Sequence, residues 1–185
     1  MRVIAGTARS LPLKAPVGLE TRPTTDRVKE TLFNMINPLL PNAIFVDVFS
    51  GSGGIGIEAL SRGASKSYFI ENNRQALLCI QENLSFTKLM NQAVIYNQDA
   101  IGALSFIQEE YVDIIFMDPP YQSDLENSVL KALQDKSYID DQTIIIIEAK
   151  LEKDFSFVTE YGFYVEKEKK YKTNKHVFIK KVSKD

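Results

Sequence analysis

The chain predicts a three-layer α/β/α domain on a mostly parallel, seven-stranded sheet that ends in an antiparallel hairpin, with a small β-hairpin at its N-terminus. Three observations lead there. Between residues 44 and 149, short apolar runs alternate with longer amphipathic stretches, the pattern of a parallel sheet wrapped by helices. Two further strand-like runs, 163–167 and 176–180, follow with no helix between them, too close together for a parallel crossover, so they pair antiparallel at the sheet edge. Near the start, residues 3–5 and 11–15 flank a polar turn at 6–10.

In chain order, Pro16, Gly18 and Pro23 mark residues 16–25 as a linker, which divides an arm and linker over 1–23 from the main domain over 24–185. Thr24 or Thr25 would cap the first helix, in which Val28, Thr31, Leu32, Met35 and Ile36 recur at helical spacing; Pro38 and Pro41 end it. Strands then follow at 44–49, 66–71, 93–96, 112–117 and 143–149, the last strongly apolar. Helices intervene at 55–62, 74–88, 100–108 and 125–134. No internal repeat interrupts the series.

Composition narrows the function classes. With 44% hydrophobic and 25% charged residues, the 185-residue chain has the make-up of one globular domain, and no apolar run reaches membrane length. The start lacks the long apolar region of a secretory signal, and the single Cys79 excludes an internal disulfide, so a reducing cytoplasm is the expected compartment. His176 is the only histidine and brings no metal set or nucleophilic relay with it; a strand position near the basic tail is expected. Cys79, beside Leu77, Leu78 and Ile80, reads as core.

The net charge of −2 hides an asymmetry. Residues 1–29 hold Arg2, Arg9, Lys14, Arg22, Arg27 and Lys29 against only Glu20 and Asp26. Lys167, Lys169, Lys170, Lys172 and Lys175 form a second basic cluster. If the two meet they would make a phosphate-binding face; taken alone, the second cluster reads equally as solvated surface.

The first strand runs into Asp47-Val48-Phe49-Ser50-Gly51-Ser52-Gly53-Gly54-Ile55-Gly56. Glycines 51, 53 and 56 have the spacing of a dinucleotide fingerprint, and Glu71 falls 20 residues after Gly51, where a carboxylate can bind the hydroxyls of an adenosine ribose. A nicotinamide dinucleotide would satisfy that pattern. Asp47 favours another ligand, because an acid near the strand end repels phosphates but pairs with the ammonium of a methionine moiety, as in S-adenosylmethionine. Asp99, after the third strand, adds an acceptor for an adenine amino group, with the Ala100 N–H beside it; a helix N-cap is the equal alternative. Phe33 and Phe49 are aromatic candidates for the pocket wall.

The most specific signal is Asp118-Pro119-Pro120-Tyr121, at the carboxyl end of the fourth strand, where open sheets bind ligands. An exocyclic amino group on a nucleic-acid base is a weak nucleophile because its lone pair is delocalised. The Asp118 carboxylate and the Pro119 carbonyl can accept its two N–H hydrogens, Pro119 and Pro120 fix the backbone in advance, and Tyr121 would stack on the base. Methyl transfer from a sulfonium then needs no metal. A nicotinamide-dependent oxidoreductase leaves this motif unexplained.

Taken with Arg22-Pro23-Thr24-Thr25-Asp26-Arg27-Val28-Lys29-Glu30 and Leu60-Ser61-Arg62-Gly63-Ala64, these motifs closely resemble the bacterial 16S ribosomal RNA guanine-N2 methyltransferases that modify guanine 966, over nearly the whole chain. The resemblance implies a Rossmann-like class I methyltransferase core carrying an N-terminal hairpin, S-adenosylmethionine as cofactor, and 16S ribosomal RNA within an assembled small-subunit particle as substrate. It places cofactor contacts on Asp47, Phe49, Gly51, Ser52, Gly53, Glu71, Asn72, Asp99 and Ala100. Arg22, Thr24 and Arg27 would bind substrate, although Arg27 has Glu30 within one helical turn as a competing partner. The residues alone stop at a base amino group, leaving adenine N6 and cytosine N4 open. Ser50, where alanine is common in the family, and Asn72-Asn73 are mild departures.

Overall fold

The computed structural model describes residues 1–16, 25–120 and 124–183. The helices are α1 (Asp26–Ile36), α2 (Gly54–Ser61), α3 (Arg74–Thr87), α4 (Ala100–Leu104) and α5 (Leu125–Leu133). The strands are β1 (Ile44–Val48), β2 (Lys66–Glu71), β3 (Ala93–Asn97), β4 (Ile114–Met117), β5 (Ile144–Lys150), β6 (Phe163–Lys170) and β7 (Asn174–Lys181). They form one seven-stranded sheet in the order β3-β2-β1-β4-β5-β7-β6, with β1 to β5 parallel and β7 antiparallel to both neighbours. The fold is the one expected.

Strand alternation sends successive side chains to opposite faces. Phe45, Phe69, Phe116, Ile146 and Phe178 pack with α1, α2 and α3, while Val46, Ile70, Ile115, Met117, Ile147 and Val177 pack with α4, α5 and the turn at 156–161. Both faces are covered, which is why the parallel strands read as mostly apolar runs without strict alternation. Thr25 caps α1 by accepting the Val28 N–H, and α3 ends on Lys88 in the left-handed conformation. Among the described residues no helix is long and apolar enough to cross a membrane.

Two elements differ from expectation. The N-terminal hairpin is reduced to one bridge, Arg2 to Pro12, with the Val3 N–H bonding Leu11. The Ser10 and Leu13 amides add bonds to Val3 O and Met1 O, and other donors of the arm turn to α2. The Ile4 and Ala5 amides donate to the Glu58 carboxylate at 2.8 and 3.0 Å, Ala8 donates to Ser61 Oγ, and Thr7 donates to the Ser61 carbonyl. Val3, Ala8 and Leu13 are buried in the same cluster as Leu32 and Phe33, so the arm is packed onto the helical layer over α1 and α2. Helix α4 stops four residues early: the Ser105 and Phe106 amides bond three residues back, to Gly102 O and Ala103 O, and Leu104 O, which the Gln108 amide would need, accepts from Tyr138 at 2.8 Å.

Candidate active site

Beyond Val48 the chain makes a tight turn into α2. Phe49 (φ 64°), Gly51 (φ 55°) and Gly53 (φ 77°) all take left-handed backbone, which is unusual for a bulky residue such as Phe49. Hydrogen bonds hold it there. Ser50 Oγ donates to Asp47 O at 2.6 Å and the Gly53 N–H to Ser50 O at 2.7 Å. Gly56 serves close approach: a Cβ there would lie 2.4 Å from the Phe69 ring, so only glycine lets α2 sit against β2.

Asp47 is buried beneath this turn, where its Oδ2 accepts the Gly56 N–H at 2.9 Å. Desolvation, with a smaller contribution from Glu71, pushes its carboxyl up to about 7. Glu71, at the end of β2, ties the turn to the next helix: Oε2 accepts the Gly51 N–H at 2.9 Å, and Oε1 accepts the Asn72 and Asn73 amides. A carboxylate has about four acceptor positions, so capacity remains for one more donor. Asp99 does cap α4, accepting the Gly102 N–H at 2.9 Å.

Five of the expected cofactor residues, Phe49, Glu71, Asn72, Asp99 and Ala100, line one cleft of about 130 Å³ at the carboxyl ends of β1, β2 and β3. Ile70, Gln98, Ile101 and Leu125 complete it. Sequence reasoning missed these four. Ile70, Gln98 and Ile101 flank residues it did select, whereas Leu125 arrives from α5 and carried no local signal. Gly51 joins the cleft through Glu71, while Ser52 and Gly53 lie in the turn behind it, Ser52 O accepting from Asn83. Phe33 belongs to the core, stacked on Phe45 at 6.4 Å, and does not line the cleft.

Asp118 stands one residue beyond the Val48–Met117 register pair, beside the Phe49 turn. Its carboxyl is raised, first by desolvation and then by the negative charges of Glu148 and Asp47. Pro119 is buried and Pro120 exposed, and both line a small cavity of about 60 Å³ with Glu126, Glu148 and Lys153. Glu148 is a further residue the sequence did not offer. It is buried near the end of β5, accepts from Asn174 Nδ2 at 2.5 Å, and meets His176 Nε2 at 3.2 Å. His176 is indeed a strand residue, fully buried on β7, with Tyr171 Oη 3.0 Å from its Nδ1.

Arg27 is exposed on the first turn of α1 and, among the described residues, makes no ion pair with Glu30. Tyr121, Arg22 and Thr24 lie outside the described residues. Cys79 is half-buried with Leu78 exposed beside it, so that face of α3 is less apolar than its sequence suggests; burial raises the thiol further from reactivity. Among the described residues no cluster of His, Cys, Asp or Glu is arranged to hold a metal.

Comparison with known proteins places this geometry. Residues 1–180 match the model of a family described as conserved hypothetical protein 95. The ribosomal RNA small subunit methyltransferase D of Haemophilus influenzae is 36% identical over 173 residues, covering 91% of this chain and 88% of that protein. Its Escherichia coli K12 counterpart is 36% identical over 154 residues, covering 82% of this chain and 76% of that protein. A solved Escherichia coli structure assigned as a methyltransferase superposes with a TM-score of 0.84 at 32% identity, covering 100% of this chain and 99% of that one. With nearly its whole length matched in sequence and in fold, the chain belongs to the conserved hypothetical protein 95 family, together with the ribosomal RNA small subunit methyltransferase D proteins.

Proposed function

We propose that the protein transfers a methyl group from S-adenosylmethionine to the exocyclic N2 amino group of a guanine in 16S ribosomal RNA of the small ribosomal subunit. The observation that carries this reading is the placement of Asp118 beside a cleft already lined by Phe49, Glu71, Asp99 and Ala100. The names of the relatives support a ribosomal RNA substrate, and the acid-Pro-Pro motif supports an amino-group acceptor.

The residues fit the cofactor. The cleft has apolar walls from Ile70, Ile101 and Leu125 for an adenine ring, and Glu71 has acceptor capacity left for ribose hydroxyls. Asp99, through the carboxylate oxygen not used in capping, would accept from the adenine amino group beside the Ala100 N–H. Asp47 is a buried carboxyl that desolvation holds above the usual range, and the ammonium of the methionine moiety would give it a counter-charge; Gly51, Ser52 and Gly53 bring the backbone close to the same end. The bound sulfonium provides an electrophilic methyl group.

This chain's own part is positioning and proton handling. Asp118 and the Pro119 carbonyl accept the two hydrogens of the target amino group, concentrating its lone pair towards the methyl donor. Held above the usual carboxylate range, Asp118 is also suited to take the proton that the amino group loses. Pro120 stiffens the loop, Tyr121 stacks on the base, and Arg22, Thr24 and Arg27 hold substrate phosphates.

The test is transfer of labelled methyl from S-adenosylmethionine to ribosomal RNA, free and in small-subunit particles, followed by mass mapping of the modified nucleotide. N2-methylguanine formation is expected, with Asp118→Ala abolishing transfer but retaining S-adenosylhomocysteine binding. A product on adenine or cytosine would redirect the substrate, and NADH binding without a response to S-adenosylhomocysteine would overturn the class.

A further inference from the structure

We infer that the groove between α1 and the β6–β7 hairpin is a built binding site for the phosphodiester backbone of single-stranded RNA, with Arg27, Lys169, Lys170 and Lys172 as its anion ligands. This rests on the reading of the protein as an RNA-directed enzyme, and it names where the strand is held.

The two basic segments, more than 140 positions apart in sequence, meet in space. They enclose a groove of about 380 Å³ whose described lining carries four cations and no carboxylate; Thr31 adds a hydroxyl and Tyr171 an aromatic ring. The basic cluster on the hairpin is not uniformly available, and the difference is informative. Lys175 is buried against Glu168 at 2.6 Å, and Lys167 lies over the Phe178 ring at 4.5 Å, so both are committed to the fold. Lys170 has only a distant contact with Glu168 at 4.0 Å, and Arg27, Lys169 and Lys172 have no ion pair among the described residues. The cations that have no close ion pair among the described residues, Arg27, Lys169 and Lys172, face the groove, with Lys170 beside them. Four like charges kept exposed along one cavity repel each other, a cost that an anionic ligand with regular charge spacing would relieve.

Position selects the ligand. Asn174 at the start of β7 pairs with Lys150 at the carboxyl end of β5, so the 171–173 turn lies at the sheet edge that carries Asp118. From the groove, Tyr171 reaches inward to His176, and His176 to Glu148, which shares a cavity with Pro119. A strand lying in the groove would lie on the same sheet edge as Asp118, with phosphates on the lysines and the half-buried Tyr171 ring, anchored through its hydroxyl, lining the groove beside them, the combination used for single-stranded nucleic acid.

Labelled single-stranded oligouridylate, titrated into the full chain across a salt series, tests this. Replacing Lys169, Lys170 and Lys172 together by Gln is expected to weaken binding roughly tenfold or more and to flatten the log–log salt slope by about 2; Arg27→Gln alone, on a different element, should flatten it by about 0.7. S-adenosylhomocysteine affinity stays unchanged, the melting temperature does not fall, and methyl transfer to RNA shows a raised KM at constant kcat. Unchanged slope and affinity in both variants would overturn the groove, including in favour of a protein partner there. If groove-dependent binding is seen but no RNA is methylated, the groove stands and the proposed reaction falls.

Discussion

The Asp47 carboxylate accepts the Gly56 N–H at 2.9 Å, locking the end of β1 to the first turn of α2, yet among the described residues no cation pairs with it. Its protonation therefore couples folding to pH. With a folded value of about 7 against an ordinary 3.8, the native state holds a proton that the unfolded chain has already released between those values. Stability falls as pH rises through that window, by on the order of 4 kcal/mol when complete. Asp118, raised in the same direction, adds to the decline. Asp47→Asn keeps an acceptor for Gly56 and removes this charge, so its melting temperature should exceed the parent's at pH 8 and vary less from pH 4 to 8. The same variant should bind S-adenosylhomocysteine at least tenfold more weakly if Asp47 pairs with the ligand ammonium. Calorimetric melts with and without ligand separate the two effects, and identical pH slopes would show that Asp47 titrates normally.

Gly56→Ala tests the close approach of α2 to β2. The added methyl would sit 2.4 Å from Phe69 Cε1 and 2.8 Å from both Cζ and Ser67 Oγ, so the closest clash is with the ring, in a region closed by fully buried neighbours. Overpacking of this kind costs about 1–3 kcal/mol. The loss should appear in urea unfolding, and Phe69→Leu in the same chain should recover part of it, because the clash is with the ring. If the double variant is simply the sum of the two single losses, the ring is not the obstacle.

Glu58 gathers α1, α2 and the N-terminal arm around one buried charge. It accepts the Ile4 and Ala5 amides, pairs with Lys29 at 3.2 Å, and accepts from Arg62 at 2.8 Å; Lys29 also donates to Arg2 O at 2.6 Å. Burial lowers the Lys29 pKa, and Glu58 opposes that. Glu58→Gln leaves a buried ammonium without its counter-ion, an expected loss of about 3–5 kcal/mol in denaturant unfolding. The deficit should shrink at alkaline pH, where Lys29 loses its proton, and Lys29→Met in the same background should restore much of it. A loss independent of pH would mean that packing of the arm, not the charge, is at stake.

The sheet was legible because both its faces are covered: buried parallel strands such as Phe45 to Val48 and Ile145 to Ile147 appear as apolar runs whatever their neighbours do. Phe49, Glu71, Asn72, Asp99 and Ala100 were legible for a topological reason, since each lies at or just past the end of a strand that finishes on the same edge, so their order in sequence already implies their meeting. The rest depends on long-range placement. Helix α4 reads as nine residues until Tyr138, 34 positions on, takes the Leu104 carbonyl. The arm reads as a hairpin, and its anchoring shows only when Glu58 and Ser61, more than 50 positions away, take its amides. His176 seemed isolated because Glu148 becomes its neighbour only when β7 inserts between β5 and β6.

That insertion gives the last prediction. His176 links Glu148 Oε2 at 3.2 Å to the Tyr171 hydroxyl at 3.0 Å, with its ring edge-on to Phe116 at 6.0 Å between centroids. His176→Phe keeps an aromatic against Phe116 but removes both polar contacts, leaving the buried Glu148 carboxylate one donor short. A charged group deprived of a buried partner costs about 1–3 kcal/mol or more, whereas Tyr171→Phe, which removes a bond at the half-exposed end, should cost about 1 kcal/mol. Urea unfolding should rank His176→Phe well below Tyr171→Phe. In the double variant the Tyr171 change should add almost nothing, because its partner nitrogen is already gone. Full additivity would mean that the two side chains act independently and that the hydroxyl finds its stabilising partner elsewhere.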